Sequence, residues 1–318
     1  MLVMLNYSSE ELHEYLKRLL VTDQFDIEAI GHHHLGRHHV YKINRTNNEP
    51  LVFKHYFKHN RRVREIASLN LLRNTPVKCA RIIASGEMQD GTEWLMTNFI
   101  EGSILDDLWS QMTRRQTLEM FEEMGAELAK IHAAATFDFF GHWDESGNSL
   151  YHFRNYYTEF VRSSEYVFRQ IYSQNLPEQV LINRAISIIR RNYKLIQPIK
   201  ESRLTHNDYD GRNILVGQNA SGLSIQGIID FEQSFPGNKE IDLAGIYARY
   251  LMGSTHREEA FFHGYKKLLK IDNGFMDRLP FYLLCKGVTI CSWTYQRAPE
   301  YYREGLQLIE RFHSLVES

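Results

Sequence analysis

Between residues 25 and 99 the chain falls into five short runs with apolar and polar positions interleaved, at 25–33, 37–43, 51–56, 81–86 and 92–99. Runs of that length and pattern, bounded by turn residues, predict strands. The second and third are joined by the turn-rich segment 44–50, and the last two through Gln89-Asp90-Gly91, a composition that favours a hairpin. One helical segment interrupts them. At 62–72, Val63, Ile66, Ala67, Leu69 and Leu72 supply the packing positions, with Glu65 among them. Ahead of the strands, Ser8 and Glu11 occupy the reciprocal positions of a capping box, and Leu12, Leu16, Leu19 and Leu20 follow on one face of a helix.

After Gly102 the helical period takes over. Thr113 and Gln116 form a second capping box, and Leu118, Phe121, Gly125, Leu128 and His132 follow at core spacing. Further helices are predicted over 151–172, 178–195, 257–270, 276–296 and 299–316. A single β-type interruption lies among them: the runs 214–216 and 225–229 flank Asn219-Ala220-Ser221-Gly222, which favours a tight hairpin. The pattern predicts an α+β chain, with a small five-stranded antiparallel sheet and a helix first and a larger, mainly helical part after it.

Composition narrows the classes of function. The 318 residues are 43% hydrophobic and 24% charged, ordinary for a globular protein with sizeable cores. A formal net charge of −2 argues against a nucleic-acid partner, which a basic excess would announce. Cys79, Cys285 and Cys291 give neither a disulfide framework nor metal-ligand spacing, so a reducing, cytoplasmic location is expected. The apolar start at residues 1–5 is far too short for a signal peptide, and no run approaches the ~20 apolar residues of a membrane span.

The chemistry concentrates in 204–232. His206-Asn207-Asp208 is followed five residues after the Asp by Asn213, and the second hairpin strand ends in Asp230-Phe231-Glu232. Asn213 and Asp230 thus sit at opposite ends of one hairpin and reach a common point. Oxygen ligands on such a frame suit Mg²⁺, which takes a few protein oxygens alongside phosphates and waters. Asp208, on the preceding loop, is free to contact a substrate hydroxyl. A carboxylate to orient a nucleophile, with an Asn and an Asp to hold metal against a nucleotide, is the set of parts phosphoryl transfer needs.

The order His-x-Asp-x-x-x-x-Asn followed by Ile-Asp-Phe resembles the catalytic and metal-binding loops of the kinase-like fold, and the His206-Asn207-Asp208 variant is similar to the aminoglycoside phosphotransferase and choline kinase family. The resemblance implies a bilobal protein-kinase-like fold, with residues 1–98 as a nucleotide-binding N-lobe and 99–318 as a C-lobe. It implies that Lys54 contacts nucleotide phosphates and is braced by Glu65, with Lys58 as the alternative partner. Thr97, Asn98 and Phe99 become the linker that reads the purine edge. His132 and Asp242 match positions that steady the catalytic loop, and helices between 151 and 195 match substrate-binding insertions. The family's glycine-rich turn is not evident here: only Gly31 and Gly36 flank a histidine-rich stretch, and Gly36 is the candidate for its tip.

The reading is an enzyme that moves the γ-phosphoryl group of ATP or GTP to a hydroxyl of a small molecule with Mg²⁺, and whose partners include neither nucleic acid nor membrane. An aminoglycoside-type antibiotic is one acceptor class, a sugar or amino alcohol another. Acids after Asp242 are offset by Lys266, Lys267, Lys270, Arg297 and Arg303, so no acidic pocket is demanded. A kinase-like nucleotide-binding module without turnover is the rival; intact Lys54, Asp208, Asn213 and Asp230 weigh against it. Five histidines within 32–39 invite a metal site, but strand alternation divides them between two faces. Trp293, Tyr295, Tyr301 and Tyr302 form a late aromatic group. Lys54→Ala is expected to impair phosphate positioning while leaving unliganded stability nearly unchanged.

Overall fold

The interleaved runs become one antiparallel sheet. This computed structural model describes residues 8–31, 38–220 and 222–317. Helix α1 (Ser9–Leu20) opens with the expected box: the Ser8 hydroxyl accepts from the Glu11 N–H, and the Glu11 carboxylate from that of Ser8. Strands β1 (Phe25–Ile30), β2 (His38–Arg45) and β3 (Leu51–Tyr56), helix α2 (Arg61–Leu72), and strands β4 (Ile82–Glu87) and β5 (Glu93–Asn98) follow. The sheet order is β1-β2-β3-β5-β4. Alternation along β3 divides its side chains. Phe53 packs with Trp94, Met96, Ile43 and the α1 residues Leu12 and Leu16. Tyr56, and Leu95 of β5, join Ile66 and Leu69 of α2 in the main core. Residues 32–34 and the Gly36 tip lie outside the described residues.

Beyond Asn98 the chain does not turn helical at once. Ser103–Ile104 (β6) pairs with Val216 and Leu215, and two 3₁₀ turns follow, because the edge of the later hairpin captures this segment first. Then come α3 (Arg114–Ala133), β7 (Thr136–Phe137), α4 (Tyr156–Tyr172), α5 (Gln179–Arg191), β8 (Ser202–Thr205) and the hairpin β9 (Ile214–Asn219) and β10 (Gly222–Ile228). Strand β11 (Phe235–Gly237) pairs back to β8, and α6 (Glu240–Ile246), α7 (Thr255–Lys266), α8 (Phe275–Thr294) and α9 (Pro299–Glu317) complete the helical part. Among the described residues, no helix is long and apolar enough to cross a membrane.

Two features position the chemistry. First, the hairpin is tied to the sheet-bearing part away from the linker. The Ile228 N–H donates to the Lys78 carbonyl at 2.8 Å, and the Lys78 ammonium reaches the Ile225 carbonyl at 2.6 Å. Glu123 of α3 accepts from both Lys78 (3.3 Å) and the Ile225 N–H (3.1 Å). Second, α3 and α7 cross backbone to backbone. A Cβ on Gly125 would lie 2.0 Å from the Phe261 carbonyl oxygen, and one on Gly264 would lie 1.9 Å from that of Glu122. The crossing buries Phe121, Met124 and Leu128 against Phe261 and Tyr265. Neither glycine can gain even a methyl without separating the helices. Gly125→Ala is therefore expected to cost about 3 kcal/mol, the scale of an overpacked core; urea unfolding measures it, and a loss under about 0.5 kcal/mol would mean the helices do not touch here.

Candidate active site

Lys54 sits on the α2 side of β3, buried, at the meeting point of three carboxylates. Its Nζ lies 2.8 Å from Glu65 Oε2, 2.6 Å from Asp230 Oδ1 and 3.2 Å from Glu232 Oε2. The Lys54–Glu65 pair is thus the one formed, and the Tyr56 hydroxyl donates to the same Glu65 oxygen at 2.6 Å. Burial works against the ammonium, but Asp230, Glu232 and Glu65 outweigh it and hold Lys54 well above the usual lysine range. Burial likewise pushes Glu232 up, and Lys54, His38 and Arg61 overcome that, so its carboxyl stays far below the ordinary range.

Glu232 is the residue that sequence reasoning underused, naming it only as the last of the Asp230-Phe231-Glu232 run. It pairs with Arg61, its carbonyl accepts from Arg64 Nε at 2.8 Å, and His38 Nδ1 lies 3.0 Å from its Oε2. The start of α2 is thereby bolted to the segment after Asp230. His39, one residue along β2, turns instead to Phe57, so alternation does separate these two histidines. Lys54→Ala would leave buried carboxylates without their cation. This revises the expectation of unchanged stability: the unliganded protein should lose about 3 kcal/mol or more, measured by urea unfolding without nucleotide, and an unshifted midpoint would refute the network.

The catalytic-loop candidate follows β8. Asp242, at the start of α6, accepts from the His206 N–H at 2.8 Å and from the Asn207 N–H at 2.6 Å. Asn207 has a positive φ of 63°, a conformation that persists only where the surroundings impose it. Behind Asp242 stands His132 of α3, with Nε2 3.0 Å from Asp242 Oδ2 and Nδ1 2.7 Å from the Tyr265 hydroxyl. A neutral ring with its proton on Nε2 satisfies both partners. Burial lowers the His132 pKa, with Asp242 opposing; burial raises Asp242, and His132 and the loop N–H groups bring it below its ordinary value. The sequence placed both residues behind this loop, and the structure brings them there; Tyr265 it did not single out.

Stability should respond to acid accordingly. The fold disfavours a charged His132, whereas the unfolded chain takes up that proton near pH 6.5. The contribution is thus present above about pH 6.5 and lost as pH falls below it. Urea midpoints between pH 7.5 and 5 should decline, and His132→Gln should flatten that decline; an equal slope in the variant would show that His132 is not its source.

Asp208, Asn213 and Asp230 converge. The Asn213 side-chain NH₂ donates to the Asp208 carbonyl at 2.8 Å and carboxylate at 3.3 Å, which turns its amide oxygen away from the loop. The Asn213 carbonyl accepts from the Ile229 N–H at 3.0 Å, setting Asn213 beside Asp230. Asp230 itself has φ 65° and ψ 56°, the left-handed region. Burial, then Asp210 and Asp230, raise the Asp208 pKa, with Arg212 opposing; the side chain is still 36% exposed, at a cleft mouth rather than sealed from water. An amide oxygen and a carboxylate set side by side are donors Mg²⁺ accepts. Among the described residues, Glu65, Asp230 and Glu232 also bring ligand atoms within 4.8 Å of one another, and the Lys54 ammonium stands among them as their cation.

The linker differs in detail from the sequence reading. Thr97 pairs within the sheet, and the N–H groups of Asn98 and Phe99 donate to the Arg81 and Pro50 carbonyls at 3.1 Å each. The Asn98 side chain also accepts from the Arg81 N–H at 2.6 Å. These residues form the cleft's edge, but their donors are spent on the sheet. The next backbone N–H groups, of Ile100 and Glu101, belong to no strand pairing.

On the far side of Asp208, the Arg212 guanidinium pairs with Asp210, lies 3.6 Å from Asp208 Oδ1 and donates to the Tyr301 hydroxyl at 3.1 Å. Trp293 flanks Tyr301, with ring centroids 6.5 Å apart. Tyr302 instead donates to Glu178 at 2.7 Å and packs on Tyr295, so the late aromatic group splits into a pair at the cleft and a pair in the scaffold. A π-helical turn, Tyr247–Leu251, follows α6. Its Tyr250 hydroxyl accepts from the Gly211 N–H at 2.7 Å and donates to Asp106 at 2.7 Å. No spacing rule pointed to that link, because π-turns leave no periodic trace in sequence.

A small sheet over a helical part, with this loop and hairpin between them, is the protein-kinase-like fold. Residues 30–277 match the phosphotransferase enzyme family, and the chain belongs to that family. It is a phosphotransferase that acts on hydroxyl groups of small molecules. Among solved structures, a thermostable mutant of aminoglycoside phosphotransferase APH(4)-Ia, in ternary complex with AMP-PNP and hygromycin B, is similar with a TM-score of 0.72 and 12% identity, over 96% of this chain and 98% of that one. The GDP complex of wild-type aminoglycoside 2′-phosphotransferase-IIIa is similar with a TM-score of 0.71 and 15% identity, over 97% and 99%. At those identities the likeness is one of fold. A comparison with curated proteins finds no match by sequence.

Proposed function

We propose that the chain transfers the γ-phosphoryl group of ATP or GTP to an alcohol of a small-molecule acceptor, with Asp208 as the base. The observation that carries this reading is the convergence of Asp208, Asn213, Asp230 and Lys54 on one cleft. Asp208 faces the acceptor side, where its raised pKa makes it a better proton acceptor than an ordinary surface carboxylate. Asn213 and Asp230 are the residues to hold Mg²⁺, which when bound offsets phosphate charge. Lys54 turns its ammonium to the phosphates, and Glu65 keeps it in place. The purine edge falls to Ile100 and Glu101 N–H groups, beside Thr97, Asn98 and Phe99.

We assign residues 1–98 to the donor-binding part and 99–318 to the part that carries the loop, the hairpin and the acceptor side. AMP-PNP and GDP in the two similar structures support a nucleoside triphosphate donor of either base. An aminoglycoside, a sugar and an amino alcohol are the acceptor classes of this reading. Three unpaired thiols support a reducing cytoplasmic location.

The test is a pair of isosteric changes. Asp230→Asn should weaken Mg-nucleotide binding and turnover together. Asp208→Asn should still bind Mg-nucleotide while single-turnover transfer falls by ~10²–10⁴-fold, the usual range for a lost general base. Calorimetry at fixed Mg²⁺ reads the first property and rapid quench the second. Near-full turnover in Asp208→Asn, or loss of nucleotide binding as severe as in Asp230→Asn, would remove Asp208 from the role of base.

A further inference from the structure

Arg212, beside the proposed base, holds donors that the scheme above does not use. The turn that carries it is fixed at both ends: Asp210 Oδ1 accepts from the Arg212 N–H at 2.9 Å, and the Asp210 carbonyl accepts from the Asn213 N–H at 3.0 Å. The side chain folds back over that turn. Nε lies 3.1 and 3.0 Å from the two Asp210 carboxylate oxygens, Nη2 pairs with Oδ2, and Nη1 donates to the Tyr301 hydroxyl at 3.1 Å. A guanidinium has five N–H groups in a rigid fork. A second N–H on Nη1 and another on Nη2 therefore have no hydrogen-bond partner among the described residues, and 39% of the side chain is open to solvent.

Nη2 lies 3.6 Å from Asp208 Oδ1, too far for a hydrogen bond. The other oxygen, Oδ2, takes the Asn213 side-chain NH₂ at 3.3 Å, which leaves Oδ1 for a ligand. An ionised carboxylate only accepts and a guanidinium only donates, and here the two stand side by side, both partly exposed. A hydroxyl about 2.7 Å from Oδ1 leaves room for a second ligand oxygen about 2.9 Å from Nη2. In a productive complex these are different oxygens, because the attacking hydroxyl must keep a lone pair for phosphorus. An ammonium in the second place would bring donors to a donor and compete with the hydroxyl for Asp208. A carboxylate there would lie against Asp208, while the charge of Arg212 is already answered by Asp210. A neutral oxygen on the neighbouring carbon fits both partners.

We propose that Arg212 binds the oxygen on the carbon next to the one bearing the accepting hydroxyl, so that the site takes vicinal diols. This deepens the reading of Asp208 as the residue facing that hydroxyl and rests on it. Arg212 is then a specificity residue: braced by Asp210 and Tyr301, it reads the pattern of oxygens around the reacting one.

Carbocyclic probes of one size test it: cis- and trans-cyclohexane-1,2-diol, cyclohexane-1,4-diol, cyclohexanol and trans-2-aminocyclohexanol. Binding is followed by calorimetry in the presence of Mg-AMP-PNP, and kcat/KM is measured with Mg-ATP and Mg-GTP, for wild type, Arg212→Met and Arg212→Gln. In wild type the better 1,2-diol should exceed the 1,4-diol, cyclohexanol and the amino alcohol by about tenfold or more, the scale of a hydrogen bond to a charged group. The ratio of 1,2-diol to 1,4-diol should fall toward unity in both variants, with unliganded melting confirming that they fold; the wild-type series decides even if they do not. Equal values for the 1,2- and 1,4-diols in wild type, an amino alcohol that matches the better diol, or no binding of either 1,2-diol overturns the proposal. So does a ratio that survives in both folded variants, since an equal loss for every probe places Arg212 on the phosphoryl group or in the scaffold. Failure of the phosphotransferase reading looks different: the 1,2-diols bind selectively beside Mg-AMP-PNP, yet no probe is phosphorylated with either donor.

Discussion

One buried ammonium holds the front of this molecule to its back. Lys54 belongs to the sheet, Glu65 to the helix beneath it, and Asp230 and Glu232 to the segment that leaves the catalytic hairpin. Three carboxylates so close would repel strongly in a medium less polar than water, and a single cation among them makes the arrangement tenable. Arg61 and Arg64 extend the same device by gripping Glu232 from the first turn of α2. The position of α2, and with it Glu65, is set by charge as much as by the apolar contacts of Ile66 and Leu69.

The acceptor side is held by other means. Asp242 spends both oxygens on the backbone of the catalytic loop and is itself held by His132, which is held by Tyr265. Tyr250 reaches the same loop further along, through Gly211, and connects it to Asp106. Donor and acceptor chemistry therefore rest on two networks that meet where Asn213 touches Asp208 and where His206 reaches the Ile229 carbonyl at 3.0 Å. Burial there raises the Asp208 pKa, and the negative charges of Asp210 and Asp230 raise it further.

Much of this was legible in the residues alone. Alternation located the five strands to within a few residues, and the two capping boxes form as their Ser-x-x-Glu and Thr-x-x-Gln patterns require. The structure brings Lys54 to Glu65, Asp208 to Asn213 and His132 to Asp242, neighbours that the motif spacing and the resemblance had singled out. What escaped depends on partners far apart in the chain. Glu232 gains its meaning from His38 and Arg61, and Tyr250 from a π-turn. That the Asn98 and Phe99 N–H groups are spent within the sheet was hidden too, because only the folded sheet brings the Arg81 and Pro50 carbonyls to them. The contacts of β6 were hidden for the same reason: a strand of two residues has no period to detect.

The strap between Lys78 and the hairpin bears on how the two halves move. They are joined by the covalent linker near Ile100, through space where Ile228 donates to Lys78 and Lys78 to Ile225, and a third time where Lys54, Arg61 and Arg64 grip Asp230 and Glu232. These fastenings differ in what can release them. The linker and the strap run through backbone groups and keep their register whatever occupies the site. The third is made of ion pairs, which the charge of an arriving phosphate competes for. The cleft is thus latched by the same cation that is to meet the nucleotide.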